Sequence, residues 1–182
     1  MEDCVDVYEW LLKQGYKSED IVVGGESAGG TLSLSLLLAL KDKGIELPRA
    51  AFSISPVTDL RCSADSFRYN APNDIAQAGS AELWTKLYIG DNDPTLPLLS
   101  PQFGDYTGLP PIYICVGTYE IHFDDCVNVA ERARSHGVEV TLERWPKMVH
   151  AFPIMSPLFP EAKQALSKIC EFAHRQVGSD RT

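Results

Sequence analysis

The chain has 182 residues, an apolar fraction of 45%, a charged fraction of 23% and a formal net charge of −9. That length fits one domain with a real core and is short for two. The acidic balance, with no cluster of Lys and Arg, argues against a nucleic-acid partner or an anionic membrane surface, either of which wants positive charge on one face.

The five cysteines (Cys4, Cys62, Cys115, Cys126 and Cys170) are irregularly spaced and form neither a CxxC pair nor a Cys/His set at zinc spacing. They read as reduced thiols of a cytoplasmic protein, and no metal or cofactor is called for. Cys115 sits in an apolar run, where a thiol serves as a small buried hydrophobe. The first residues are acidic and no signal-peptide pattern follows them. The most apolar stretch, residues 32–40, is interrupted by Ser33 and Ser35 and is too short to span a bilayer, so it reads as a buried helix.

In chain order, Val5, Tyr8, Leu11 and Leu12 fall at helical intervals within residues 4–14, and Gly15 stops that helix. Residues 21–23 are Ile, Val and Val without alternation, as in a strand buried on both faces. A glycine-rich turn follows, then a helix over residues 31–43 closed by Gly44. Residues 50–55 form a second strand, ended by Pro56. Residues 60–101 hold Pro72, Pro94, Pro97 and Pro101, polar loops and a modest helix at 81–88, and read as an insertion on one face. Strand character returns at 111–116, a helix covers 124–135 and ends at Gly137, a further strand covers 138–144, and a last helix covers 160–176. Residues 178–182 form a tail expected to fray. Four strands each followed by a helix predict an α/β fold with a parallel sheet of right-handed crossovers, its core made of residues 1–59 and 102–177. In such sheets functional residues collect beyond the carboxyl ends of the strands.

The turn after the first strand reads Gly-Glu-Ser-Ala-Gly at 25–29, a G-x-S-x-G sequence between a strand and a helix. A strained turn of this type needs small flanking residues, supplied by Gly25 and Gly29, and lifts Ser27 above the sheet. There the backbone N–H of Ala28 points at a developing oxyanion. The competing reading is a phosphate-binding glycine turn, but the loop has no Lys or Arg to pair with phosphate. A serine needs an imidazole to take its proton. Of His122, His136, His150 and His174, the last lies in the final amphipathic helix and His136 directly precedes Gly137, so both read as solvent-facing. His150 follows the last strand in a loop, and the order serine, acid, histidine is the one this type of fold uses. The acid then belongs to the loop after the strand at 111–116. Glu120 stands nearest the strand end, whereas Asp124 and Asp125 read as helix-start carboxylates favoured by the dipole.

With these residues in place, the chain resembles the hormone-sensitive-lipase-like (bacterial family IV) esterases of the α/β-hydrolase superfamily. The likeness rests on Gly-Glu-Ser-Ala-Gly-Gly at 25–30, Ser-Pro-Val-Thr-Asp-Leu at 55–60, Leu-Ser-Pro at 99–101, Gly-Leu-Pro-Pro at 108–111, the loop at 116–125 and His-Ala-Phe at 150–152. It implies a serine carboxylic-ester hydrolase acting on short-chain acyl esters, with Ser27, Glu120 and His150 as its triad. Many family members carry Asp where Glu120 stands. The resemblance also makes residues 60–101 part of a cap, with Trp84 and Tyr88 either lining the substrate pocket or serving cap packing alone. Family members carry a His-Gly-Gly-Gly motif upstream of the nucleophile, and this sequence has none. The chain is therefore expected to be the carboxyl-terminal portion of a longer enzyme, with impaired activity. Self-association is expected at the edge of the nucleophile strand or along the last strand and helix. Amidases, peptidases and thioesterases use the same triad, and a non-catalytic binding module or an inert fragment of the same fold are the alternatives from other classes.

Overall fold

A computed structural model describes residues 1–178; the part of the expected tail beyond Gly178 lies outside the described residues. The principal elements are α1 (Glu2–Lys13), β1 (Val22–Glu26), α2 (Ala28–Asp42), β2 (Ala50–Ile54), α3 (Ser66–Tyr69), α4 (Ala78–Ile89), β3 (Ile112–Gly117), α5 (Phe123–Ser135), β4 (Val140–Trp145) and α6 (Pro160–Gly178). The four strands are all parallel and lie in sequence order, β1-β2-β3-β4. The predicted α/β fold with four parallel strands is the fold observed.

The apolar pattern explains the layering. In β3 every residue is buried, and successive side chains take opposite faces. Ile112, Ile114 and Val116 join Leu34, Leu37 and Leu38 of α2 and Val129, Ala130 and Ala133 of α5 in one core. Tyr113 and Cys115 face the other way, into a core with Ala162, Ala165, Ile169 and Phe172 of α6. Those four α6 residues recur at helical intervals, so one stripe of a mostly polar helix is buried. The stretch at 32–40 is the buried helix expected, covered on its outer side by Val5 and Tyr8 of α1.

Two expectations change. The strand read at 21–23 extends to Glu26 and is only half-buried, because it forms one edge of the sheet. Residues 60–101 contain a short α3 in addition to a longer α4, and no residue of α4 is buried. Among the described residues, no helix is long and apolar enough to cross a membrane.

Candidate active site

Glu26, Ile54, Gly117 and Trp145 end the four strands, and the loops that follow them meet above the sheet. Ser27 comes directly after β1 with φ 51° and ψ −119°, a conformation that L-residues rarely adopt. Its backbone N–H donates to the Ile54 carbonyl at 2.8 Å, tying the turn to the end of β2. Gly25 is required here, since a Cβ on it would lie 2.3 Å from the Gly29 backbone. Gly29 itself meets no such neighbour, so the space lies at Gly25 and what fills it is the backbone at Gly29. Ser55 and Ala151 also have positive φ, and both belong to the same site. Strain of this kind costs about 1–3 kcal/mol per residue and persists only where the surroundings hold it in place.

The structure brings Ser27, His150 and Glu120 together. His150 Nε2 lies 2.9 Å from Ser27 Oγ, and His150 Nδ1 lies 3.2 Å from Glu120 Oε2. Glu120 is fully buried, and its other oxygen accepts from the Gly117 N–H and, at 2.9 Å, from Ser55 Oγ. Ser55 Oγ in turn accepts from the Ala151 N–H at 3.1 Å, so one hydroxyl joins the acid to the histidine loop. The two loops press together at Gly117, where a Cβ would stand 2.1 Å from the Met148 carbonyl.

Burial pushes the Glu120 carboxyl up, opposed chiefly by its hydrogen bond to His150. Burial pulls the His150 imidazole down, but the hydrogen bond and charge of Glu120, then Asp74 and Glu26, more than reverse this and leave it above its ordinary value. An ionised Glu120 makes Nδ1 the donor and leaves Nε2 free to accept the Ser27 proton. Such a chain can draw a proton from a hydroxyl and hold the resulting imidazolium.

The site opens into a cavity of about 540 Å³. Ser27, Ala28, Leu32, His122, Trp84 and Tyr88 contribute to its walls. Trp84 and Tyr88 do reach the cavity, but they stand on its open side, 68% and 54% exposed.

The other carboxylates and histidines weighed from the sequence stand outside this hydrogen-bonded chain. Asp124 and Asp125 stand in the first turn of α5, as expected. Asp124 also accepts from the Ser66 N–H at 2.8 Å and the Tyr69 hydroxyl at 2.9 Å. Asp125 is fully buried, with Oδ2 at 3.7 Å from His122 Nδ1, an ion-pair separation longer than a hydrogen bond. His122 is nearly buried, and its ring meets that of His150 edge-on at 5.3 Å. His136 is half-buried and accepts from the Tyr106 N–H at 3.1 Å, whereas His174 is exposed as expected.

Of the residues missed altogether, Ser55 is the one outside the insertion and three more lie within it. Ser66 Oγ donates to the Ile121 carbonyl at 2.6 Å, and the Asn70 amide donates to the Thr118 and Glu120 carbonyls at 3.0 and 2.8 Å. The Asp74 carboxylate accepts from the Ile121 and His150 N–H groups, both at 2.8 Å. A signal was present. Ser66, Asn70 and Asp74 recur every four residues, which places three polar side chains on one side of a helical path.

Fold and site together define an α/β protein of the hydrolase type. The comparison with known proteins is more specific: the chain belongs to the alpha/beta hydrolase fold family, which matches residues 1–154. It is 36% identical over 98% of its length to an acetyl-hydrolase of Streptomyces hygroscopicus and 38% identical over 92% to an esterase of Acinetobacter venetianus. It covers 60% and 56% of those two proteins. Among solved structures it matches an esterase of the bacterial hormone-sensitive lipase family with a TM-score of 0.94 at 39% identity, covering 97% of this chain and 60% of that one.

Proposed function

We propose that the protein hydrolyses carboxylic esters of short acyl chains through an acyl-enzyme on Ser27. The observation that carries this is the unbroken hydrogen-bonded chain from Ser27 Oγ through His150 to Glu120, facing a cavity. Ser27 Oγ attacks the acyl carbonyl while its proton passes to His150 Nε2, and Glu120 stabilises the imidazolium. The N–H of Ala28, first in α2 and therefore without an acceptor inside the helix, faces the oxyanion. His150 then protonates the departing alkoxide. Water attacks the acyl-enzyme with His150 again as base, and Ser27 recovers its proton. Trp84 and Tyr88 are assigned to the cavity wall that receives the substrate. The acetyl-hydrolase among the relatives supports the choice of a short acyl group.

A fluorophosphonate probe tests this reading. Labelling should fall on Ser27 and disappear in Ser27→Ala and His150→Ala. Because His150 must be neutral to act as base, the labelling rate should rise with pH through a midpoint above 6.5. A folded protein that takes no label at Ser27 overturns the reading and leaves a non-catalytic member of the fold.

We further propose that residues 60–101 act as a cap on a core of 1–59 and 102–177, and that the five unpaired cysteines suit a reducing cytoplasm. Self-association is proposed too, through the outer edge of β1, a row of backbone groups at the end of the sheet, or along β4 and α6. Sedimentation showing monomer at every concentration overturns that.

A further inference from the structure

Asp74 belongs to the insertion and lies outside the Ser27, His150 and Glu120 chain, yet it touches both loops that carry the last two. Its Oδ1 accepts from the backbone N–H of His150 and its Oδ2 from that of Ile121, each at 2.8 Å. The first N–H belongs to the residue bearing the imidazole, and the second follows Glu120 directly. One rigid carboxylate thus sets the separation of two loops whose side chains must meet at 3.2 Å. Asp74 is itself held in place, because its N–H donates to the Asn70 carbonyl at 3.0 Å while the Asn70 amide grips the Thr118 and Glu120 carbonyls.

We propose that Asp74 is a positioning residue for both loops, so that seating of the insertion is a condition for His150 and Glu120 to meet. This rests on the roles proposed above for those two residues. No neutral side chain of the same shape can replace it. An Asn has one accepting oxygen, and its NH₂ would face an N–H donor. Asp74 also places negative charge beside the imidazole. The other groups facing that ring are Glu120, Glu26 with Oε1 at 3.7 Å from Nε2, and the edge of His122. The Asp74 contribution favours the imidazolium.

The experiment compares the wild type with Asp74→Asn and Asp74→Glu by fluorophosphonate labelling against pH, by NMR titration of the His150 ring and by thermal melting. In Asp74→Asn the plateau labelling rate should fall about 10–100-fold, since small misplacements of a reacting group have effects of that size. Loss of the charge should move both the labelling midpoint and the ring titration to lower pH, and Asp74→Glu should restore both. A variant that melts earlier with rate and midpoint unmoved overturns the proposal, as does one indistinguishable from wild type. If Asp74→Asn does not fold, the wild type still decides. The amides of His150 and Ile121 should both show through-hydrogen-bond coupling to the Asp74 carboxyl carbon, and absence of either coupling overturns the proposal. If wild-type Ser27 takes no label, the nucleophile reading fails while the NMR titration continues to judge Asp74.

Discussion

Within the insertion, residues 66–74 turn polar side chains inward and α4 leaves apolar ones outside, an inversion of the usual arrangement in both places. Ser66 and Asn70 are buried, and with Asp74 they spend their polar atoms on the backbone of the acid and histidine loops. In α4, Leu83, Trp84, Leu87 and Tyr88 are all more than half exposed, and the helix contributes only a wall to the cavity. The segment nearer α3 is therefore fastened to the chemistry by directional bonds. The α4 helix has neither those bonds nor a buried face. Loops adopt one geometry when every buried donor and acceptor has a partner, and this segment supplies partners that the loop at 118–124 lacks within itself.

The sharpest way to break this contrast is Asn70→Ala. It strands the Thr118 carbonyl and leaves that of Glu120 only its 3.2 Å bond from the Phe123 N–H, and should destabilise the fold by about 1–3 kcal/mol, the cost of a buried group left without a partner. Because the second carbonyl belongs to the proposed acid, labelling at Ser27 should slow by about 100-fold even at temperatures where the variant stays folded. Urea denaturation and labelling kinetics check both. A variant as stable as wild type would mean that the hydrogen bonds of residues 66–74 do not hold the loop.

A second difference between the two regions is charge. The fastened side bonds to Asp124, whose neighbour Asp125 is a buried carboxylate with no hydrogen-bond partner on either side-chain oxygen among the described residues. Burial raises the Asp125 pKa above its unfolded value, opposed by His122. A raised folded pKa means that the folded state binds the proton more tightly than the unfolded chain does. The stabilisation is complete below the unfolded carboxylate pKa and is lost as pH climbs through the folded one. Asp125→Asn removes that dependence. Measured from about pH 4 to about pH 8, its stability relative to wild type should grow with pH. A difference that stays flat across that range would show that Asp125 does not titrate differently in the two states.

The legible parts of this molecule were those written in local pattern. The all-apolar run of β3 and the four-residue stripe of α6 announce their burial, and Gly-Glu-Ser-Ala-Gly announces the turn at Ser27 because sterics at Gly25 demand it. Chain order and strand ends were enough to choose Glu120 and His150, the two residues that the structure brings to Ser27. Side chains bonded to backbone groups far along the chain were hidden. Asn70 meets Glu120 across fifty positions, and a carbonyl acceptor leaves no mark in a sequence. The tertiary partners of Asp124 and Asp125 were hidden for a related reason. A carboxylate in the first turn of a helix has a sufficient local explanation, and the bonds to Ser66 and Tyr69, like the approach of His122, depend on tertiary placement.

The smallest effect should come from the free side. Trp84 is 68% exposed, so Trp84→Ala removes little buried area and should change stability by about 0.5 kcal/mol or less. Its indole nevertheless lines the cavity beside Ser27, so the loss should appear in binding. With p-nitrophenyl esters as substrates, KM for a longer acyl chain should rise a few-fold while kcat holds, the pattern of an interaction made equally in the ground and transition states. Asn70→Ala should show the reverse, with kcat falling and KM little changed. If Trp84→Ala instead lowered kcat and melted early, α4 would be fastened as firmly as residues 66–74, and the division of the insertion into a holding part and a walling part would be lost.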